Sequence, residues 1–354
     1  MEQKIFLISF IGIVFIFLCV ALSIAFIGNP GGVYWTDPMM DEAVYALLSG
    51  HEIIHPQNYD QRLFQKNIIQ RDNVTRDIIV LGSSRASRVN QTMITSDMNK
   101  TFLNHGVGGA GLQDVLAILG MYTEKGYFPE VIVFCLDPWM LQKWNAFGSQ
   151  WLESREYYFQ FLNYVSSSQE YNQNSRYWSM KMGYIKLKRY LSALSYPLLN
   201  ESVRNIRDPN KGSWRVLPSS ESPPPKFPDR NVDEVDRLTR EDITSYRWYF
   251  GEVDPSLKYQ FESTMTYLQS EGITVIFVLP PFHPIVYDAL SHDPQYYAKA
   301  LETEEFFKHY AASHDIPIYG SYDPKPYGLT SKHFFDGVHP RPEAMAIILK
   351  ELDY

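Results

Sequence analysis

The sequence predicts an α/β fold: a parallel sheet covered on both faces. Three observations carry this. Short, continuous apolar runs recur along the chain, Gly and Pro bound several of them, and helical spacing fills the intervals. The first run, Asp77 to Leu81, reads as a buried strand that ends at Gly82-Ser83-Ser84-Arg85. Thr101 to Asn104 is the second, and it runs into the Gly-rich stretch Gly106-Val107-Gly108-Gly109-Ala110-Gly111. Leu112, Val115, Leu116, Leu119 and Met121 then recur near helical spacing. Val131 to Leu136, between Pro129 and Pro138, is the third strand. Ile273 to Leu279, closed by Pro280-Pro281, is the fourth, and Ile316 to Tyr319 is a weak fifth. Pro340 suits the first turn of a terminal helix that continues from Ala344 to Leu352.

The chain has 354 residues and is 45% hydrophobic, enough for one large domain with insertions. Residues 77–354 read as that domain, and 29–76 as a mixed juxtamembrane segment with a short helix at Ala43 to Leu48. Residues 140–255 break the pattern and read as an insertion. Within it, Gln150 to Tyr171 is aromatic and helical, and so is Met180 to Leu199, where Lys181, Lys186, Lys188 and Arg189 lie among apolar residues. Residues 205–230, with Ser222-Pro223-Pro224-Pro225, read as a loop. Net charge is -8, with no basic stripe of the kind that nucleic-acid binding needs. Cys19 and Cys135 are too far apart in context to pair, and neither has zinc-ligand spacing, so neither a disulfide framework nor a metal is expected.

Residues 1–28 read as a transmembrane anchor. Ile5 to Ile27 is apolar and uncharged, and as a helix it covers roughly 35 Å, enough for a bilayer core. A cleaved signal peptide would have a shorter apolar region ending in small residues, and Phe26-Ile27-Gly28 ends poorly for that. Lys4 and the amino terminus precede the span, beside Glu2, whereas Asp37, Asp41 and Glu42 follow it. That bias sets the N-terminus inside and the main domain outside the cell membrane.

The chemistry-bearing residues lie at strand ends. A serine hydroxyl needs a neutral imidazole within hydrogen-bond reach, and the imidazole needs a carboxylate to hold its tautomer. Ser84 follows the first strand, and Asp336-Gly337-Val338-His339 lies near the C-terminus. These supply a candidate nucleophile (Ser84), base (His339) and orienting acid (Asp336). In other settings the same residues make a strand-end turn and a capped surface loop. His283, in Pro280-Pro281-Phe282-His283-Pro284, reads as structural, His105 as a strand-end residue, and His333 lacks an Asp three residues before it.

Taken in order, these blocks resemble the SGNH/GDSL hydrolase superfamily. Ser84 matches its nucleophile, with Ser83 in the place of the usual Asp. Asn104-His105-Gly106-Val107-Gly108-Gly109 resembles the second block, which implies an oxyanion-hole amide at Gly109. Asp336 and His339 match the last block. The third block departs: where the superfamily has Gly-x-Asn-Asp, this chain has Phe134-Cys135-Leu136-Asp137-Pro138-Trp139. The donating Asn is missing, and a carboxylate at Asp137 cannot donate unless protonated. Arg85 is a candidate substitute, although a surface salt bridge is the role expected of it.

The resemblance implies a three-layer, flavodoxin-like parallel sheet. The Gly-Ser-Ser block, the Pro-Trp pair and the anchor look like the branch that includes D-alanyl-lipoteichoic-acid transfer proteins. That branch is similar in plan to proteins that O-acylate alginate and other cell-surface polymers. It implies an extracytoplasmic acyltransferase with an acyl donor, a glycan or polymer acceptor, a multi-span membrane acyltransferase as partner, and no cofactor. An esterase acting on the same polymers, and a non-catalytic anchored assembly or binding protein, are the alternatives. The aromatic-rich insertion, in a chain with 25 Tyr and 7 Trp, favours a carbohydrate acceptor slightly; core packing explains the same rings.

Overall fold

Five parallel strands run through the centre of the α/β unit. They are β1 (Ile78–Gly82), β2 (Phe102–Gly106), β3 (Val131–Cys135), β4 (Thr274–Leu279) and β5 (Ile318–Gly320). The computed structural model describes residues 2–29, 39–55, 59–142, 150–165, 184, 187, 190–207, 214–218, 229–243, 252–292 and 294–354. The strands are ordered β2-β1-β3-β4-β5 and every pairing is parallel. The direction of winding therefore reverses between β1 and β3, the switch point where such sheets leave a crevice beyond their carboxyl ends.

The apolar runs form the inner strands because both faces are buried. Ile78, Ile79, Val80 and Leu81 have no exposed surface, and each such side chain contributes roughly 1.5–3 kcal/mol on burial. One face, with Ile78, Val80, Val131, Val133, Ile276 and Val278, packs on Ala344, Met345 and Ile348 of the terminal helix. The opposite face places Phe134 and Phe277 edge to face, with Phe261 and Phe307 beyond them.

The helices of this unit are α1 (Leu112–Lys125), α2 (Arg155–Val165), α3 (Val232–Ile243), α4 (Pro255–Ser270), α5 (Pro284–His292), α6 (Pro294–Ser313) and α7 (Pro342–Ile348). Gly120 lets α1 and α2 meet closely, since a Cβ there would lie 2.1 Å from the Tyr157 carbonyl oxygen. Asp254 caps α4 by accepting from the Ser256 and Leu257 amides.

The chain divides into two compact units, Met1–Arg71 with Asn174–Pro224, and Asp72–Gln173 with Pro225–Tyr354. The first contains the N-terminal helix Glu2–Gly28, helices Met39–Leu48, Gln61–Arg71 and Tyr196–Arg207, and a two-stranded antiparallel pair. Ile53 pairs with Val216 and Ile54 with Arg215. The described part of the expected 205–230 loop therefore contains a strand, and a turn at 193–195 breaks the expected helix, after which a separate helix runs from Tyr196 to Arg207. Trp214 explains the ordering: its ring stacks on Phe64 at 4.5 Å and meets Tyr59 at 5.0 Å. Of the expected helix Met180 to Leu199, residues 180–183, 185, 186, 188 and 189 lie outside the described residues, as does Ser222-Pro223-Pro224-Pro225.

Glu2–Gly28 is long and apolar enough to cross a membrane. It exposes Phe6, Phe10, Phe15 and Phe17, which is costly in water and suits lipid.

Candidate active site

The turn after β1 is shaped by its neighbours. Gly82 has φ +151°, and a Cβ there would lie 2.7 Å from the Cys135 carbonyl oxygen, so only glycine fits. The chain then folds into a tight turn in which the Ala86 amide donates to the Ser83 carbonyl at 3.0 Å. The Ser87 hydroxyl donates to the Ser84 carbonyl at 2.6 Å. Asn104, from β2, binds the far side, its Nδ2 donating to the Ala86 and Val89 carbonyls at 2.8 Å each. Gly106 allows this approach: a Cβ there would lie 2.8 Å from the Ser87 nitrogen and 2.9 Å from the Ser83 oxygen.

Ser84 is thereby held half-buried at the sheet's edge, with its Oγ 2.8 Å from His339 Nε2. His339 Nδ1 lies 2.8 Å from Asp336 Oδ2 and 3.0 Å from Oδ1. Asp336 Oδ1 also accepts from the Val338 and His339 amides at 2.8 Å each, so the three-residue spacing makes the carboxylate both a turn cap and a ring partner. Burial pushes the Asp336 carboxyl up, but the His339 ring and these two amides outweigh it and hold the group below its ordinary value. With Nδ1–H donated to Asp336, the Nε2 lone pair faces the serine.

The loop that carries this pair is closed on itself. Phe334 and Pro340 form an antiparallel bridge, and the Phe335 amide donates to the His339 carbonyl at 2.9 Å. Arg341 and Arg88 lie over the Phe335 ring at 4.4 and 5.2 Å. From the end of β4, the His283 amide donates to the Gly337 carbonyl at 3.2 Å. The His283 ring is buried with Asp236 of α3 beside it at 3.3 Å, and burial pushes it down to about 4 against the pull of Asp236 and Asp336. His105 is also buried, its Nε2 2.8 Å from the Tyr122 hydroxyl, and burial lowers it to about 3. His333 caps its own turn through the Thr330 amide at 2.9 Å.

Gly109 sits at φ +63° in the turn closed by the Ala110 amide and the Val107 carbonyl. The Val107 amide ties that turn to the Gly82 carbonyl at 3.0 Å, bringing it to the same edge as Ser84. The Trp139 indole braces it from β3 by donating to the Ala110 carbonyl at 2.9 Å. Among the described residues neither the Ser84 nor the Gly109 amide donates a hydrogen bond within the chain.

Arg85 and Asp137 correct the expectation of a surface pair: both side chains are 0% exposed. Arg85 Nη1 donates to Asp137 Oδ1 at 2.7 Å, and Nη2 donates to the Pro280 carbonyl. The guanidinium lies 4.3 Å over Phe282, with Trp139 and Tyr322 at 5.9 and 6.0 Å. Burial pushes the Asp137 carboxyl up, while Arg85, the Ser83 hydroxyl and His339 pull it down. The pair joins the ends of β1, β3 and β4 beneath the serine. Tyr322, after β5, adds a hydrogen bond from its hydroxyl to the Leu136 carbonyl at 3.0 Å. Asn104, Trp139 and Tyr322 are the supports that sequence reasoning assigned no role; only their positions at strand ends signalled one. No cluster of residues suited to a metal occurs among the described residues.

No protein-family model matches the chain, and no curated protein is detectably similar to it.

Proposed function

We propose that the chain is a membrane-anchored serine acyltransferase that works through an acyl-serine on the outer side of the cell membrane. The observation that carries this reading is the hydrogen-bonded relay from Ser84 Oγ through the His339 ring to Asp336. His339 Nε2 takes the hydroxyl proton as Oγ bonds to the carbonyl carbon of an ester or thioester. The Ser84 and Gly109 amides are the donors available to the resulting oxyanion. Collapse breaks the bond to the leaving group, which takes the proton from His339. An acceptor hydroxyl then attacks the acyl-serine and gives its proton to His339, which passes it to Ser84 Oγ as the bond between the acyl carbon and Oγ breaks.

The order of the blocks supports an SGNH-type arrangement, and the strand order agrees with the flavodoxin-like sheet that this implies. Asp137 is engaged by Arg85, so the third donor of that superfamily has no counterpart at this position. Removing one such donor costs on the order of 100- to 1000-fold in turnover, which suits a specialised transfer better than a fast general esterase. Through the same resemblance, the acceptor is a cell-surface glycan or polymer, and a multi-span membrane acyltransferase supplies the acyl group.

A fluorophosphonate probe on the full-length protein tests the reaction class. Labelling that Ser84→Ala abolishes is the expected result; an unlabelled, folded protein overturns it and leaves an anchored binding protein. Incubation with an acyl donor, with and without polymer, then separates transfer from hydrolysis. Acyl release at equal rates in both favours the esterase.

A further inference from the structure

The unit that contains the apolar N-terminal helix also presents a second exposed apolar feature. The last turns of Glu2–Gly28 are seated against helix Tyr196–Arg207: Ala25 and Ser202 are fully buried. Gly28 permits the approach, since a Cβ there would lie 2.5 Å from Ser202 Cα. Asn205 Nδ2 donates to the Gly28 carbonyl at 2.8 Å. A bilayer's hydrocarbon core needs only about 20 helical residues, and this helix has 27. If it spans, its final turns emerge at the headgroup boundary, and helix Tyr196–Arg207 lies at that depth.

Just upstream, Tyr184, Leu187, Tyr190 and Leu191 are helical and exposed by 66, 55, 42 and 57%. Their spacing of three, three and one draws them into one apolar stripe. The turn that follows begins with Ala193, which has no exposed surface. The sequence from Met180 to Leu191 contains Lys181, Lys186, Lys188 and Arg189 and no acidic residue. Tyrosines and leucines exposed on one helical face are the composition of a segment that lies in the plane of a membrane surface.

We propose that the stripe of Tyr184, Leu187, Tyr190 and Leu191, with helix Tyr196–Arg207, forms an in-plane anchor whose partner is the lipid leaflet at the C-terminal end of helix Glu2–Gly28. This rests on that helix spanning the bilayer, the anchor part of the proposed function. The stripe sinks to the boundary between headgroups and acyl chains, and it holds the unit against the surface at a second point.

The test uses the full-length protein carrying Cys19→Ser in nanodiscs of phosphatidylcholine and phosphatidylglycerol; Cys135 is buried and leaves single introduced thiols as the labelling sites. Leu187→Cys, Leu191→Cys and the exposed, off-stripe Ser192→Cys are each labelled with an environment-sensitive fluorophore. The expected result is blue-shifted emission at 187 and 191 that lipids brominated near the headgroup quench more than lipids brominated near the chain end, with water-like, unquenched emission at 192. Water-like emission at 187 and 191 overturns the proposal. So does blue-shifted emission that brominated lipid fails to quench, which would mean that a second copy of the chain covers the stripe. Alkaline carbonate extraction of the same protein separates the premises: release from the membrane defeats the spanning helix itself, whereas retention with unquenched labels defeats only the in-plane anchor.

Discussion

At the scale of single residues, the site depends on close backbone approach. Gly106 lets β2 press on the turn that holds Ser84, and the two atoms nearest to a Cβ there are backbone atoms with little freedom to retreat. Gly106→Ala is therefore expected to fold and to displace Ser84 from His339. A misplacement of about 1 Å costs on the order of 100-fold in rate. Fluorophosphonate labelling rates check this, and an unchanged rate would mean that the turn is not set by this contact. Two histidines give a second prediction. Burial lowers His105 to about 3 and His283 to about 4, from an ordinary 6.5. Below 6.5 the unfolded chain binds protons that the folded one refuses. Their contribution is thus fully present above about pH 6.5 and falls as pH drops, by ~1.4 kcal/mol per pH unit for each histidine. The melting temperature of the detergent-solubilised protein is expected to fall between pH 6.5 and 5. His105→Gln, which keeps a partner for the Tyr122 hydroxyl, is expected to flatten that slope, and an unaltered slope would assign it to other groups.

At the scale of elements, the buried pair between strand ends is the most consequential feature. Removing one partner of a buried ion pair typically costs 3–5 kcal/mol, because the other charge is left unpaired in a medium that solvates it poorly. Asp137→Asn brings in the amide of the resembled superfamily but strands the Arg85 guanidinium. The expected outcome is a loss of about 3 kcal/mol with no gain in labelling rate, read by thermal unfolding and probe kinetics. In a double-mutant cycle, Arg85→Met with Asp137→Leu is expected to cost less than the sum of the single changes; additivity would mean that the two side chains act independently. This pair also marks where sequence reading stops. The strands were readable because β1 and β3 are unbroken apolar runs that end at Gly82 and before Pro138, and only a doubly covered sheet accepts such runs. The contact of Asp336 with His339 was readable because a carboxylate three residues before a histidine, in a turn, reaches both the amides and the ring. Arg85 carried no such signal. A guanidinium in a polar Gly-Ser-Ser turn reads as exposed, and its burial is decided by Trp139, Phe282 and Tyr322, which arrive from three other strand ends. For the same reason, the strand β5 adds was weak in sequence: Ile318–Gly320 is short and half-buried, and its pairing with β4 stabilises it more than its own composition does.

At the scale of the whole molecule, the proposed orientation rests on the charges that flank Glu2–Gly28. Translocation retains Lys and Arg on the cytoplasmic side when they lie within about 15–20 residues of a span. On the N-terminal side stands Lys4; after the span the first Lys or Arg is Arg62, and Asp37, Asp41 and Glu42 come before it. Under the proposed function, that one small bias is expected to retain the N-terminus and export the rest. The proposed substrate class rests on that orientation. An exported serine enzyme held at a membrane meets surface polymers and lipid-borne donors, whereas a cytoplasmic one would meet soluble thioesters. Fusion of alkaline phosphatase, which is active only after export, to Tyr354 is expected to give active enzyme, and fusion of green fluorescent protein exported through the general secretory route is expected to stay dark. The opposite pair of results would put Ser84 in the cytoplasm and replace the polymer acceptor with a soluble one. Moving the bias offers an internal control. Lys4→Glu, with lysines introduced at Asp41 and Glu42, is expected to lower phosphatase activity and raise fluorescence without touching any residue of the site. If the topology is indifferent to those charges, the orientation is set by folding of the exported unit and not by the flanks of the span.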